Sequence, residues 1–261
     1  MSDAALTLRQ IRYTNRAFIR NPASAFFTFA FPLMFLVIFT AIFGGTTTVV
    51  LNGVPTTIKT STYYIPAIAT FSIITATYTN LAISVTFLRE AGTLKRIRGT
   101  PMPAGAYLGA RIIHAVLTAI LLVVIVTLWG VLFYHAHVTT RTLPAFSSTV
   151  IVGAACFSAL GLALTTVIPN ADAAPAVVNA SILPLLFLSG VFIALPSHTT
   201  WYVALAKVFP VYHFAHAMLG AFFLPRGTGF ETWDLVVMGI WGLAGLAFAV
   251  WKFSWEPKVG S

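Results

Sequence analysis

Polar and apolar positions in this chain separate into long blocks rather than alternating. Runs with almost no charge occupy residues 24–44, 63–88, 108–134, 146–168, 174–195 and 233–254. The first covers 21 residues, about 31 Å as a helix and so the thickness of a bilayer's hydrocarbon core. Lipid offers a backbone no hydrogen-bond partner, so blocks of this length predict helices. The pattern predicts an all-α polytopic membrane protein with six transmembrane helices in a single transmembrane domain, residues 1–261. The charged exceptions stand near block ends, where long side chains snorkel to an interface: Arg111 and His114 open the third block, Asp234 opens the sixth and Lys252 closes it.

One segment strains this count. Residues 201–224 are apolar, yet contain Lys207, Pro210, His213 and His216. Pro184, the pair Ser189 and Gly190, and Pro196 precede them, and irregular backbone survives at membrane depth only inside protein or a wet cavity. Residues 174–225 therefore predict a fifth span followed by a re-entrant outer hairpin, with Ser189, Gly190 and Pro196 as an outer gate.

Before the first block, Arg9, Arg12, Arg16 and Arg20 fall within roughly 80° of one helix face, with Ile11 and Phe18 nearly opposite. Residues 5–21 predict an amphipathic interfacial helix that ends where Pro22 turns the chain into the bilayer. A cleaved signal peptide is the weaker account, because the block that follows is longer than the roughly 7–15 residues of a signal's apolar region.

Composition sharpens this picture. Only 8% of residues are charged and 58% are hydrophobic, against about 25% charged in soluble domains. The net charge of +9 would suggest nucleic acid in a soluble protein, but here the cations flank apolar blocks. Counted by loop, one side of the membrane holds eleven Lys and Arg and the other four, Lys59, Arg141, Lys207 and Arg226. The positive-inside rule then puts both termini in the cytoplasm and excludes nucleic acid as the partner that the charge serves. The single cysteine, Cys156, allows no intrachain disulfide and reads as a small buried hydrophobe.

The second loop, residues 89–103, carries the most information: Arg89-Glu90-Ala91-Gly92-Thr93-Leu94-Lys95-Arg96-Ile97-Arg98-Gly99-Thr100-Pro101-Met102-Pro103. Gly92 can end one helix, Thr93 can cap another, and Gly99 with Pro101 stops it after little more than a turn. A short helix across the base of two spans is a lever, with Leu94 and Ile97 as apolar contacts at i and i+3 and Lys95, Arg96 and Arg98 around them. On spacing alone a positively charged turn is the simpler account.

This loop, from Glu90 to Pro103, resembles the signature cytoplasmic loop of ABC transporter type-2 permeases, particularly the drug-exporter branch similar to daunorubicin-resistance permeases. Asn21-Pro22 before a span containing Pro32, and Leu188-Ser189-Gly190-Val191-Phe192 followed by Pro196, are similar to the family's first and fifth spans. The resemblance implies a coupling helix, formed by Glu90, Gly92, Thr93, Leu94, Lys95, Arg96, Ile97 and Arg98, that sits in a groove of an ABC ATPase subunit. It implies a second permease, identical or related, ATP and Mg held by the partner, and a bacterial plasma membrane. Glu90 is then expected to brace the loop against basic groups such as Arg89 or the N-terminal arginines. The sequence after Pro210, Val-Tyr-His-Phe-Ala-His-Ala-Met-Leu, departs from the polar stretch ending in Arg that relatives carry.

The sequence contains no phosphate-loop motif, so the ATPase motor is expected on a separate chain. The carboxylates are scattered and the pairs His135 with His137 and His213 with His216 lack nearby acidic or thiol partners in sequence, which predicts neither a metal site nor catalysis. Ser72, Thr75, Thr79 and Thr86 fall within about 60° of one face of the second span, and either line a translocation route or bond back to the helix. Asn80 and Asn179 are candidates for interhelical bonds. The expected function is ATP-driven export of an amphipathic or lipophilic, drug-like or lipid substrate, with drug efflux as the outcome. A polysaccharide or other glycoconjugate exporter is the alternative, ahead of a secondary transporter, which would place a carboxylate at the midplane, and of a membrane-embedded lipid enzyme, which would need an acid, base or metal cluster there.

Overall fold

A computed structural model describes residues 3–51, 54–99, 104–136, 140–195, 201–223 and 228–252. Helix α1 spans Asp3–Ile19 and α2 Pro22–Ile42, with Pro22 at the first helical position, where its missing N–H costs nothing. The second span is α3 (Thr60–Ile74) and α4 (Asn80–Glu90), joined through a π-helical turn at Thr75–Thr79. Helix α5 (Thr93–Arg98) is the short element of the second loop. Then follow α6 (Ala104–Tyr134), α7 (Leu143–Thr165), α8 (Ala174–Leu188), α9 (Trp201–Ala206), α10 (Pro210–Phe223) and α11 (Thr232–Lys252).

Five of the described helical stretches are long and apolar enough to cross a membrane: Ala25–Ile42, Thr60–Glu90, Tyr107–Tyr134, Thr140–Thr165 and Thr232–Lys252. The block at 174–195 forms a shorter apolar helix. Its helix stops at Leu188 after 15 residues, about 22 Å and short of a bilayer core. Ser189–Gly190 turns the chain there, with Gly190 at φ +84°.

The first loop also departs from an all-helical expectation. Strands β1 (Thr46–Leu51) and β2 (Val54–Lys59) pair antiparallel, with Thr48 opposite Thr57. Five of these twelve residues are Thr and four are Val or Ile, β-branched types that fit a pleated surface, and Asn52-Gly53 between them is the strongest short hairpin signal a sequence offers. The strands stand at the opposite end of the bundle from α5, since the second span runs from one to the other.

Small residues set the helix spacing. A Cβ on Gly161 of α7 would come within 2.9 Å of the Tyr78 carbonyl, so α7 and the π turn meet backbone to backbone. A Cβ on Gly242 of α11 would lie 3.2 Å from Cys156 of α7, and one on Gly245 2.9 Å from Leu160. Such contacts replace the hydrophobic drive that lipid removes. The second span forms the centre: nearly every side chain from Tyr63 to Tyr78 is buried, whereas α2, α6 and α11 leave many large apolar side chains uncovered, as a lipid-facing layer does.

Candidate functional site

At the α5 end, the chain builds a clamp between two loops. Arg89, in the last turn of α4, is 2% exposed. Its guanidinium donates to the Thr165 carbonyl at 2.6 Å and the Ile168 carbonyl at 2.8 Å, placing a cation at the C-terminal end of α7 where unpaired carbonyls gather. The neighbouring Glu90 carboxylate accepts the Ala171 backbone N–H. Asn170 Oδ1 accepts the Ala173 N–H at 2.8 Å and tightens the same turn. The loop between α7 and α8 is thereby fastened to the base of the second span. Glu90 braces this turn by a backbone N–H; among the described residues the ion pairs within 4.0 Å both involve Asp234, so the expected pairing of Glu90 with Arg89 or the arginine stripe is replaced by this contact. Arg89, expected from sequence as a flanking cation and a partner for Glu90, instead holds the α7 end itself; its place one residue before Glu90, at a span's end, is the available signal.

Helix α5 hangs from this clamp. Gly92 at φ +69° follows the end of α4 and holds the N-cap position of α5, so Thr93, expected as the cap, is the first helical residue and α5 has no side-chain cap; Gly99 closes the helix. Leu94 is 0% exposed and packs in a cluster with Leu81, Val85, Tyr107, Leu162 and Ala249. Ile97 is partly buried against the same cluster. This corrects the expectation that Leu94 enters a partner's groove: the apolar edge of a one-turn amphipathic helix binds the nearest apolar surface, here the bundle's own base. Lys95 and Arg96 are exposed, and the side chain of Arg98 lies outside the described residues.

Helix α1 presents Arg9, Arg12 and Arg16 to the outside, and Arg20, in the turn that follows it, is exposed as well. Its other face rests on α6 and α2 through Phe18, 5.7 Å from the His114 ring and 6.2 Å from that of Phe29.

At the opposite end, the turn after α8 is held by the second span. The Tyr63 hydroxyl donates to the Gly190 carbonyl and the Tyr64 hydroxyl to the Phe192 carbonyl at 3.0 Å. Ser189 Oγ bonds back to Leu186 O at 3.1 Å. Phe192 inserts among Phe35, Phe39, Phe71 and Phe187 at centroid distances of 4.9–6.0 Å. Pro196 lies outside the described residues. Beyond this turn, α10 docks on α11 through side-chain hydrogen bonds. Asp234 is 5% exposed and accepts from His213 Nδ1 and His216 Nδ1, each at 2.6 Å, one on each carboxylate oxygen. His213 Nε2 faces the Lys207 carbonyl at 2.8 Å. The histidines thus have the acidic partner that their sequence neighbourhood lacked, supplied from the start of the last span. His216, Glu231 and Asp234 bring ligand atoms within 4.8 Å of one another, but both Asp234 oxygens already face an imidazole nitrogen at hydrogen-bond distance.

The hydroxyls of the second span do not share one environment. Ser72 and Thr86 are buried and bond back to the carbonyls of Ile68 and Ala82 at 2.7 and 2.9 Å. Thr75 and Thr79 are half-buried and lie within the π turn, whose wider winding breaks the single helical register that put all four on one face. Asn80 and Asn179 are exposed and make no side-chain hydrogen bond among the described residues. Beside the π turn a cleft of about 300 Å³, lined by Tyr78, Phe157, Leu164, Ser181, Leu185 and Trp241 among others, opens between α8 and α11.

The structure thus places a short helix with exposed Lys95 and Arg96 at the base of a bundle of apolar helices. The chain belongs to the ABC-2 type transporter family, whose pattern matches residues 5–223. No curated protein matches the sequence. The protein is an integral membrane protein and the membrane domain of an ABC transporter, a family that works with an ABC ATPase partner.

Proposed function

We propose that this chain is the permease subunit of an exporter that moves an amphipathic or lipophilic substrate, drug-like or lipid, from a bacterial plasma membrane. Its N- and C-termini are cytoplasmic, it pairs with a second, identical or related permease, and its ATPase partner holds ATP and Mg. The carrying observation is the Arg89–Glu90 clamp: with the loops at 89–99 and 165–173 fastened together, a push on exposed Lys95 and Arg96 moves both. The apolar cleft between α8 and α11, whose only lining side chains with a polar group are Tyr78, Ser181 and Trp241, suits a lipophilic substrate better than a sugar chain. Residues 174–225 act as the fifth span and re-entrant outer segment, and the turn at Ser189 and Gly190 closes the exit.

The test is copurification followed by transport. A tagged chain should retain an ABC ATPase from its native membrane, and everted vesicles should accumulate a fluorescent lipophilic dye on addition of ATP and Mg. Arg96→Glu with Arg98→Glu should abolish both. A chain that carries no ATPase, or vesicles that expel the dye on ATP addition, would contradict the partner and the direction respectively.

A further inference from the structure

We propose that the cavity beneath α1 binds the anionic headgroup of a membrane amphiphile, a phosphate or carboxylate, with Arg111 as the anion-binding residue. This goes beyond the transport reading and is independent of the direction of transport and of the ATPase.

The cavity has a volume of about 330 Å³ and lies between α1, the second span and α6. That is near the lower end of small-molecule sites, with room for a headgroup but not for a whole diacyl lipid. Arg111 stands seven residues into α6, about 10 Å along it. An arginine at that depth ordinarily stretches toward the bulk interface. Here Nε donates to the Tyr107 hydroxyl and one terminal nitrogen to Ser84 Oγ, both at 3.1 Å, while the Tyr107 ring lies 5.5 Å from the guanidinium carbon. These contacts fold the side chain back onto the second span, beneath α1.

Among the described side chains its charge has no counterpart. Among the described residues no carboxylate faces Arg111: Glu90 is engaged by Ala171, Asp172 stands on the α7–α8 turn, and Glu231 and Asp234 are at the far end of the bundle. The second terminal nitrogen has no acceptor among the described residues. A half-buried guanidinium without an anion is costly in lipid, and its fork of parallel N–H groups matches the two oxygens of a phosphate or carboxylate. His114, the unpaired amide of Asn80, and Thr14 provide further polar lining, while Phe18, Leu81 and Ile83 provide an apolar side for a hydrocarbon tail. A polar floor with an apolar side is the complement of an anionic amphiphile.

The purified chain in maltoside micelles is titrated with dioleoylphosphatidylglycerol, dioleoylphosphatidylcholine and dodecyl phosphate, reading the thermal midpoint and bound adducts by native mass spectrometry. The two anions should raise the midpoint and remain bound, and the zwitterion should not. Arg111→Gln should weaken anion binding about ten- to a hundredfold, while Arg96→Gln, on the exposed face of α5, should respond as the parent does. Ser84→Ala keeps the charge but releases the guanidinium, and should weaken binding by a smaller factor even if Arg111→Gln fails to fold. Phosphatidylglycerol that survives exhaustive delipidation assigns the site to a resident lipid. Its loss, with dodecyl phosphate still bound, assigns it to a single-chain anion of the kind a cargo would be. Equal responses to phosphatidylglycerol and phosphatidylcholine, or parental binding in both variants, overturn the proposal.

Discussion

His213 and Asp234 are joined across α10 and α11 by a 2.6 Å hydrogen bond, and the other ring nitrogen of His213 faces a carbonyl at 2.8 Å. One buried imidazole thus ties the carboxylate that opens α11 to the backbone that precedes α10.

This arrangement predicts a pH-dependent hold on α10. The hydrogen bond to Asp234 raises the His216 pKa above its ordinary value, against the opposing effect of burial. A group raised on folding contributes stability that is fully present below the unfolded pKa, about 6.5, and is lost as pH rises through the folded one. The charged neighbours are Asp234 and Glu231, which favour the cation, and Lys207, which opposes it. The thermal midpoint should fall as pH rises above about 6.5. Asp234→Asn should remove this slope and, by leaving a buried interaction broken, destabilise by about 3 kcal/mol; a slope unchanged in Asp234→Asn would locate the titration elsewhere.

Gly190 gives a second prediction. At φ +84° it occupies a conformation that costs other L-residues about 1–2 kcal/mol, and a Cβ there would lie 3.3 Å from Leu195 and 3.4 Å from the Tyr63 hydroxyl. Gly190→Leu should slow dye accumulation severalfold while leaving the copurified ATPase at parental stoichiometry. Normal transport by this variant would show that the turn is no gate.

The clamp and the lever should separate by phenotype. Glu90→Ala leaves Lys95 and Arg96 in place but frees the Ala171 N–H, so ATPase should remain bound while transport per ATP hydrolysed declines. Arg96→Glu with Arg98→Glu reverses the charge that α5 offers the ATPase partner, a change of several kcal/mol across an interface matched to the original charge, and ATPase should no longer copurify. Identical phenotypes would mean that the two loops do not divide coupling from docking.

Leu94→Ala tests which way the lever's apolar edge points. A fully buried leucine leaves a cavity costing about 2–5 kcal/mol, so the isolated permease should lose thermal stability without any ATPase present. If the isolated protein is unaffected and only complex formation suffers, Leu94 faces the partner instead.

Spans and the arginine stripe were legible because each is a one-dimensional pattern: block length against bilayer thickness, or residues repeating at helical spacing. Even the break at Ser189–Gly190 followed from residue types. Contacts between segments distant in sequence were not legible. Arg89 and Thr165 are 76 positions apart, and His216 and Asp234 18, so nothing local distinguishes Arg89 from a flanking cation or the histidines from interfacial ones. The direction of Leu94 is not legible for a related reason: an amphipathic turn does not specify which of two apolar surfaces it will meet. The π turn was invisible because Thr75–Thr79 carries no Pro or Gly to mark a change of winding. The hairpin, by contrast, has a local signal in Asn52-Gly53 between two β-branched segments.

The bond from Tyr78 to Ser181, 2.8 Å long, lies between two other attachments of the same elements. The second span grips the turn after α8 at Tyr63 and Tyr64, meets α8 at mid-height through Tyr78, and reaches the turn before it at Arg89 and Glu90. A helix pinned at three levels to one neighbour has no independent stroke. To slide, α8 would have to break all three connections together; to tilt, it must carry the second span along. The π turn at Thr75–Thr79 sits beside the middle pin and is the one place where that central rod departs from α-helical winding. Length given up there by rewinding would shift one end relative to the other without releasing either grip, so a load applied at α5 and a response at Gly190 would share a single mechanical member.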